Sequence, residues 1–175
     1  MSAADLAVIA TQLGRTPRGV IEVSYRTPDG VPAVVKTSPR LPDGTPFPTL
    51  YYLTDPRLTA EASRLESAGV MKEMTARLGV DADLAARYRR AHDSYLAERD
   101  AIGSLGTDFS GGGMPDRVKC LHVLIAHSLA KGPGTNPLGD EAVALAGAGP
   151  LRGTAIPADW PDISVLTGET HGELS

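Results

Sequence analysis

Three consecutive stretches decide the fold class: Val20-Ile-Glu-Val-Ser-Tyr-Arg26, Thr27-Pro-Asp-Gly30 and Val31-Pro-Ala-Val-Val-Lys-Thr37. In the first, Ile21, Val23 and Tyr25 alternate with Val20, Glu22, Ser24 and Arg26, so one face of an extended chain is more apolar than the other. Pro28-Asp29-Gly30 is turn chemistry, with proline setting φ and glycine free to take a positive one. Ala33 to Thr37, centred on Val34 and Val35, then reads as the return strand. Together they predict a β-hairpin.

Working outward, Pro39 to Pro48 holds four prolines and Asp43-Gly44-Thr45. Proline is excluded from helix interiors and central strands, so this segment is expected to be an ordered loop. Thr49 to Leu53 reads as a third strand. Before the hairpin, Leu6, Ile9, Ala10 and Leu13 recur at helical spacing between a capping Ser2 and Gly14, which predicts a helix from Ala3 to Leu13.

After the third strand the period changes to helical. Asp55-Pro56 opens a helix with inner positions Leu58, Ala62 and Leu65. A short helix with Met71, Met74 and Leu78 follows, closed by Gly79. Asp81 caps a long helix from Ala82 to Ile102, with Leu84, Tyr88, Ala91, Tyr95 and Ile102 along one stripe. Asp83 with Arg87 and Arg89 with Asp93 are spaced for ion pairs on its outer face. Gly103 to Pro115 is a loop. A helix is expected from Asp116 to Lys131 and a last one from Asn136-Pro137 to Ala146. Residues 147–175 show no helical period, though Trp160, Ile163 and Leu166 are expected to dock. The expectation is an α+β fold: an antiparallel sheet of about three strands against several helices. Residues 1–147 form a single domain, and 148–175 a partly mobile C-terminal extension.

The chain has 175 residues, 42% of them apolar and 22% charged. A single domain of this size buries roughly 70% of its unfolded surface and needs no disulfide or metal to fold. The net charge of −4 argues against a general nucleic-acid binder. With Cys120 as the only cysteine there is no internal disulfide and no cysteine-based zinc cage. The first residues, MSAADLAVIATQLG, lack a basic signal-peptide start, and no apolar run reaches the roughly 20 residues of a membrane span. A cytoplasmic protein is expected, with no membrane or nucleic-acid partner.

The stretch Gly111-Gly-Gly-Met-Pro-Asp-Arg-Val-Lys-Cys-Leu-His122 is the densest in chemistry. A glycine loop entering a helix start offers free N–H groups and a positive dipole end. Arg117 and Lys119 add cations there, which suits a bound anion better than an isolated helix. Gly111, Gly112, Gly113, Arg117 and Lys119 are therefore expected to bind a small phosphorylated or carboxylated ligand, without the spacing of a Walker or dinucleotide motif. The Pro39–Thr49 loop adds Arg40 and Thr45 as further ligand contacts. His92 and His122 are the candidates for proton transfer if they converge.

On a helix beginning at Asp116, Cys120 and His122 point about 160° apart, so they cannot share an ion. No metal site and no cofactor are expected on that geometry. Only a break in the helix near Lys119 would change this.

The strings PRLPDGTPFPTLYYLTDPRL (Pro39 to Leu58), AHDSYLAERD (Ala91 to Asp100) and VKCLHVLIAHSLAKG (Val118 to Gly132), followed by Asn136-Pro137, resemble the mainly actinobacterial domain-of-unknown-function family 501. The resemblance spans about residues 14–147 and implies no reaction. Genes of that family often lie near a septum-formation initiator protein and an exopolyphosphatase. That context implies the alternative of a non-catalytic interaction module linked to cell-division or polyphosphate machinery. The resemblance also implies that members with cysteines at the positions of Thr27 and Asp55 build a metal site with the equivalent of Cys120. This chain lacks both cysteines, though Asp55 keeps a metal-binding group.

Overall fold

The computed structural model describes residues 1–168. Helix α1 (Ala3–Leu13) begins with a capping box, in which Ser2 and Asp5 satisfy each other's backbone N–H groups, and ends at a left-handed Gly14. The sheet follows as β1 (Val20–Arg26), β2 (Pro32–Thr37) and β3 (Tyr51–Leu53), in the order β1-β2-β3, all antiparallel. Gly30 carries the turn at φ 88°. Then come α2 (Pro56–Ser67), α3 (Val70–Leu78), α4 (Ala82–Ile102), α5 (Leu121–Lys131), α6 (Pro137–Ala146) and α7 (Ile163–Thr167). This is the α+β fold expected, with Asp55, Asp81 and Asn136 capping α2, α4 and α6 through their side chains.

The sheet has two unlike faces because successive strand residues point to opposite sides. Val34, Tyr51 and Leu53 join one core cluster with residues of α2, α4, α5 and α6. Near its centre α5 and α6 approach so closely that a Cβ on Gly139 would lie 2.4 Å from the Leu124 carbonyl oxygen. The loops are fixed from inside. The fully buried Arg99 donates to the carbonyls of Phe109 (2.6 Å), Thr107 (3.2 Å) and Pro48 (3.3 Å), clamping the Pro-rich loop to the segment before the glycine run. Tyr95 Oη accepts the N–H of Leu50 at 2.6 Å.

Several expectations are corrected. Helix α5 starts at Leu121, not Asp116. The residues before it turn through a cis Met114–Pro115 peptide, and their polar groups are taken by tertiary partners. Val118 N–H donates to Thr75 Oγ1 (3.0 Å), and Tyr88 Oη donates to the Arg117 carbonyl (3.0 Å). Leu6 and Ile102 are exposed rather than inward. Arg87 pairs with Asp83 as expected, but Arg89 reaches Asp116 at 3.9 Å instead of Asp93. Residues 163–167 form a helical turn that the sequence did not announce. Beyond α6 the chain packs on the body through buried Ala155, Ile156 and Trp160, whose indole N–H donates to the Asp140 carbonyl. The expected mobility of the last residues lies outside those described. No helix among the described residues is long and apolar enough to cross a membrane.

Candidate functional site

The late start of α5 changes the geometry around Cys120. The residue is the N-cap, in an extended conformation at φ −152°, and its side chain makes no capping bond. The 160° separation from His122 held only for a regular helix, so that objection to a shared ligand set falls away. A carboxylate from another element completes the group. On α2, Thr59, Ser63 and Glu66 follow one another at spacings of four and three, one face of the helix. That face runs past the first turn of α5. The ligand atoms of Glu66, Cys120 and His122 all lie within 4.8 Å of one another, and all three residues are half-buried.

Glu66 Oε2 accepts the N–H of Leu121 at 2.8 Å and faces His122 Nδ1 at 3.1 Å. The α5 N-terminus is thus already served by a carboxylate of the protein itself. Oε1 of Glu66 makes no hydrogen bond among the described residues. His122 Nε2 lies 3.5 Å from Ser63 Oγ. Cys120 beside it first, and Glu66 next, push the His122 imidazole up to about 9 against the opposing effect of burial. In front of the group opens a cavity of about 360 Å³, lined by Cys120, His122, Val123, Thr59 of α2, and Thr49 with Tyr51 to Leu53 of the β3 edge.

Of the residues expected to bind an anion, Gly113 lies against Arg117 and Lys119, whereas Arg40 and Thr45 bond within the Pro-rich loop. Gly111 and Gly112 are buried, and a Cβ on Gly112 would stand 2.5 Å from Leu124 Cδ1. On Gly113, at φ 91°, it would meet the Arg117 carbonyl oxygen at 2.7 Å. Close packing under α5 and a left-handed turn therefore account for the glycine run. Arg117 and Lys119 are exposed. Arg40 donates to the Gly44 carbonyl of its own loop at 3.2 Å, and Thr45 binds Asp43 in the same loop. His92 is buried on α4 against Ser110 Oγ at 2.7 Å, and burial lowers its pKa. His92 and His122 keep separate company, and neither Arg40 nor Lys119 lines the cavity before His122.

Thr27 and Asp55, the positions at which the resemblance implies cysteines, sit together at the other end of α2. Arg57 bridges Asp55 and Asp29 at 2.7 Å each, and Thr27 Oγ1 donates to Asp29. Along α2, Asp55 and Glu66 are about 16 Å apart at 1.5 Å per residue. Asp55 is not among the carboxylates that converge with Cys120 and His122.

Sequence reasoning missed Glu66 as a partner. The only hint was negative: no basic residue lies three or four positions from it on α2 to pair with it.

The family model described as "Protein of unknown function (DUF501)" matches residues 23–144. The chain belongs to this family. The match contains the hairpin from Val23, the Pro-rich loop, all of α2 to α5 and most of α6, so Glu66, Cys120 and His122 all fall inside it. No curated protein and no solved structure matches the chain.

Proposed function

We propose that the protein holds one divalent cation of the zinc class through Glu66, Cys120 and His122. Its fourth coordination position, facing the cavity, takes a small carboxylate- or phosphate-bearing ligand. The observation that carries this reading is the convergence of one sulfur, one imidazole and one carboxylate within 4.8 Å, beside a cavity that Cys120 and His122 line. That donor set suits zinc or cobalt better than magnesium or calcium, which prefer all-oxygen shells. Three protein ligands and one open position form the layout of a reactive zinc site rather than a structural one. Ser63 supports it from behind, since a contact to His122 Nε2 leaves Nδ1 as the nitrogen turned toward Glu66.

A cation there supplies the positive charge for an anionic ligand that Gly111–Gly113, Arg117 and Lys119 were expected to give. Thr49, Thr59 and Tyr52 are the polar groups along the cavity that would orient such a ligand. Where turnover occurs, the metal's chemistry is polarisation of a carbonyl or phosphoryl oxygen, or activation of a water. A thiol kept reduced for this purpose favours a cytoplasmic location. The rival reading, an interaction module, would use the Pro-rich loop or the tail around Trp160; burial of Trp160 against α6 weighs against the tail and leaves the loop as its surface.

Cobalt(II) titration tests the site directly. Cys120 is the only cysteine, so any thiolate-to-cobalt charge-transfer band has a single source. The expected result is a band saturating at a single equivalent and lost in Cys120→Ser. Absence of the band at saturating cobalt would refute the proposal. So would a band that survives in Cys120→Ser.

A further inference from the structure

We propose a second ligand site, bordering the first at Tyr52, for a small amphipathic anion: a carboxylate, sulfonate or similar group on a flat or short acyl body. It lies on the sheet face turned away from the helical core. Val35 and Thr37 of β2 and the paired Tyr52 of β3 share that face, since they fall at alternate positions. There they border a cavity of about 390 Å³. Leu13 at the end of α1, Val20 and Leu41 complete an apolar lining, and Phe47 stands beside Tyr52 with ring centroids 6.1 Å apart. The volume suits a ligand of one or two rings.

The charge at the mouth is what selects the ligand. Arg15 and Arg18, on the connection between α1 and β1, both border the cavity. Neither forms an ion pair among the described residues, whereas Arg26, Arg57, Arg64, Arg77 and Arg87 each hold a carboxylate. Unpaired guanidinium groups over an apolar floor are the chemistry that receives an amphipathic anion. Asp43 moderates them. Its carboxyl is held low first by the Thr45 N–H and hydroxyl, with Arg18 adding a weaker pull. Two guanidinium groups at the rim of an apolar floor fit a small acid with an apolar body better than a polyphosphate, which has none.

Both rims are rigid before any ligand arrives. The Arg15 N–H donates to the Ala10 carbonyl (3.2 Å) and the Ser38 N–H to the Gly19 carbonyl (2.8 Å). In the Pro-rich loop, Leu41 N–H donates to Thr45 (2.9 Å) and Phe47 N–H to Pro39 (2.7 Å). A preformed rim lowers the ordering cost of binding. The Pro-rich loop thus enters the site through Leu41 and Phe47 rather than through the expected Arg40 and Thr45.

Two fluorescent probes of similar shape separate charge from apolar contact: 8-anilinonaphthalene-1-sulfonate and the uncharged N-phenyl-1-naphthylamine. The sulfonate is expected to bind saturably and to be displaced by octanoate but not by equal inorganic phosphate. Arg15→Ala with Arg18→Ala should weaken the sulfonate about tenfold and leave the neutral probe unchanged. Both side chains are exposed and unpaired, so far-ultraviolet circular dichroism should stay native. Phe47→Ala should weaken both probes, and Cys120→Ser neither. The proposal is overturned if the sulfonate does not bind or if the arginine variant binds it as before. Loss of both probes to the same extent in that variant overturns it too, as does dependence of sulfonate binding on Cys120.

Discussion

Asp55 and Glu66 stand at opposite ends of α2, and their surroundings differ in how far their bonding capacity is used. Asp55, almost fully buried, caps the helix through the Arg57 N–H (2.9 Å) and takes the Arg57 guanidinium at 2.7 Å. Arg57 in turn holds Asp29, which is also bound by Thr27. Every strong donor in that cluster meets an acceptor inside it, so the cluster is closed. At the other end Glu66 spends one oxygen on Leu121 and His122, and its carboxylate lies within 4.8 Å of the Cys120 thiol. A closed network fixes the chain; an unsaturated one of mixed S, N and O donors has capacity left for a ligand.

Acid gives the largest contrast. At the closed end, Arg57 first and Thr27 next hold the Asp29 carboxyl down to about 2, so Asp29 stays ionised through mild acid. The weak point lies in α5 beyond the open end. His127 is fully buried, stacked on Tyr51 with centroids 5.9 Å apart, and its Nε2 has no partner among the described residues. Burial lowers its pKa from 6.5 to about 4, with Glu98 as a smaller opposing influence and Lys131 as a smaller one in the same direction. The unfolded chain therefore binds more protons than the folded one between those values. The His127 contribution to stability is full above about 6.5 and falls as pH drops toward 4, by about 3 kcal/mol. Urea unfolding at pH 7 and pH 4 measures it. A His127→Phe variant should lose most of this pH dependence, and an unchanged slope in that variant would assign the effect elsewhere.

Next in size is Asp55→Ala, which removes the α2 cap and one arm of the Arg57 bridge. The expected cost is about 2 kcal/mol, read as a lower unfolding midpoint, with cobalt binding unchanged. A loss of cobalt affinity would mean the two ends of α2 are coupled and the contrast is false.

What could be read from the sequence follows the same division. The closed elements rest on local chemistry: the Ser2–Asp5 box, the Pro28-Asp29-Gly30 turn, Asp55-Pro56 and Asn136-Pro137 each announce their structure within four residues. The start of α5 did not. Val118 is buried three positions before Leu121, which mimics one more helical turn, while the bonds that hold it come from Thr75 and Tyr88, far away in sequence. No local rule weighs those partners. Glu66 was hidden for the same reason, because its role arises only where α2 meets α5.

The smallest stability effect is the most telling for the site. Glu66→Gln keeps an oxygen to accept the Leu121 N–H, so the α5 start should survive with a change below about 1 kcal/mol. The amide carries no charge and is a poor ligand for a zinc-class ion, so cobalt should bind at least tenfold more weakly. Thermal unfolding and the charge-transfer titration on the same sample read both quantities. Paired with Asp55→Ala, the result is a crossed pattern: one carboxylate governs stability and the other governs the ion. If Glu66→Gln instead destabilises the fold as much as Asp55→Ala and leaves cobalt binding intact, Glu66 is only a helix cap. Cys120 and His122 would then face the cavity with two donors, too few to hold an ion against water.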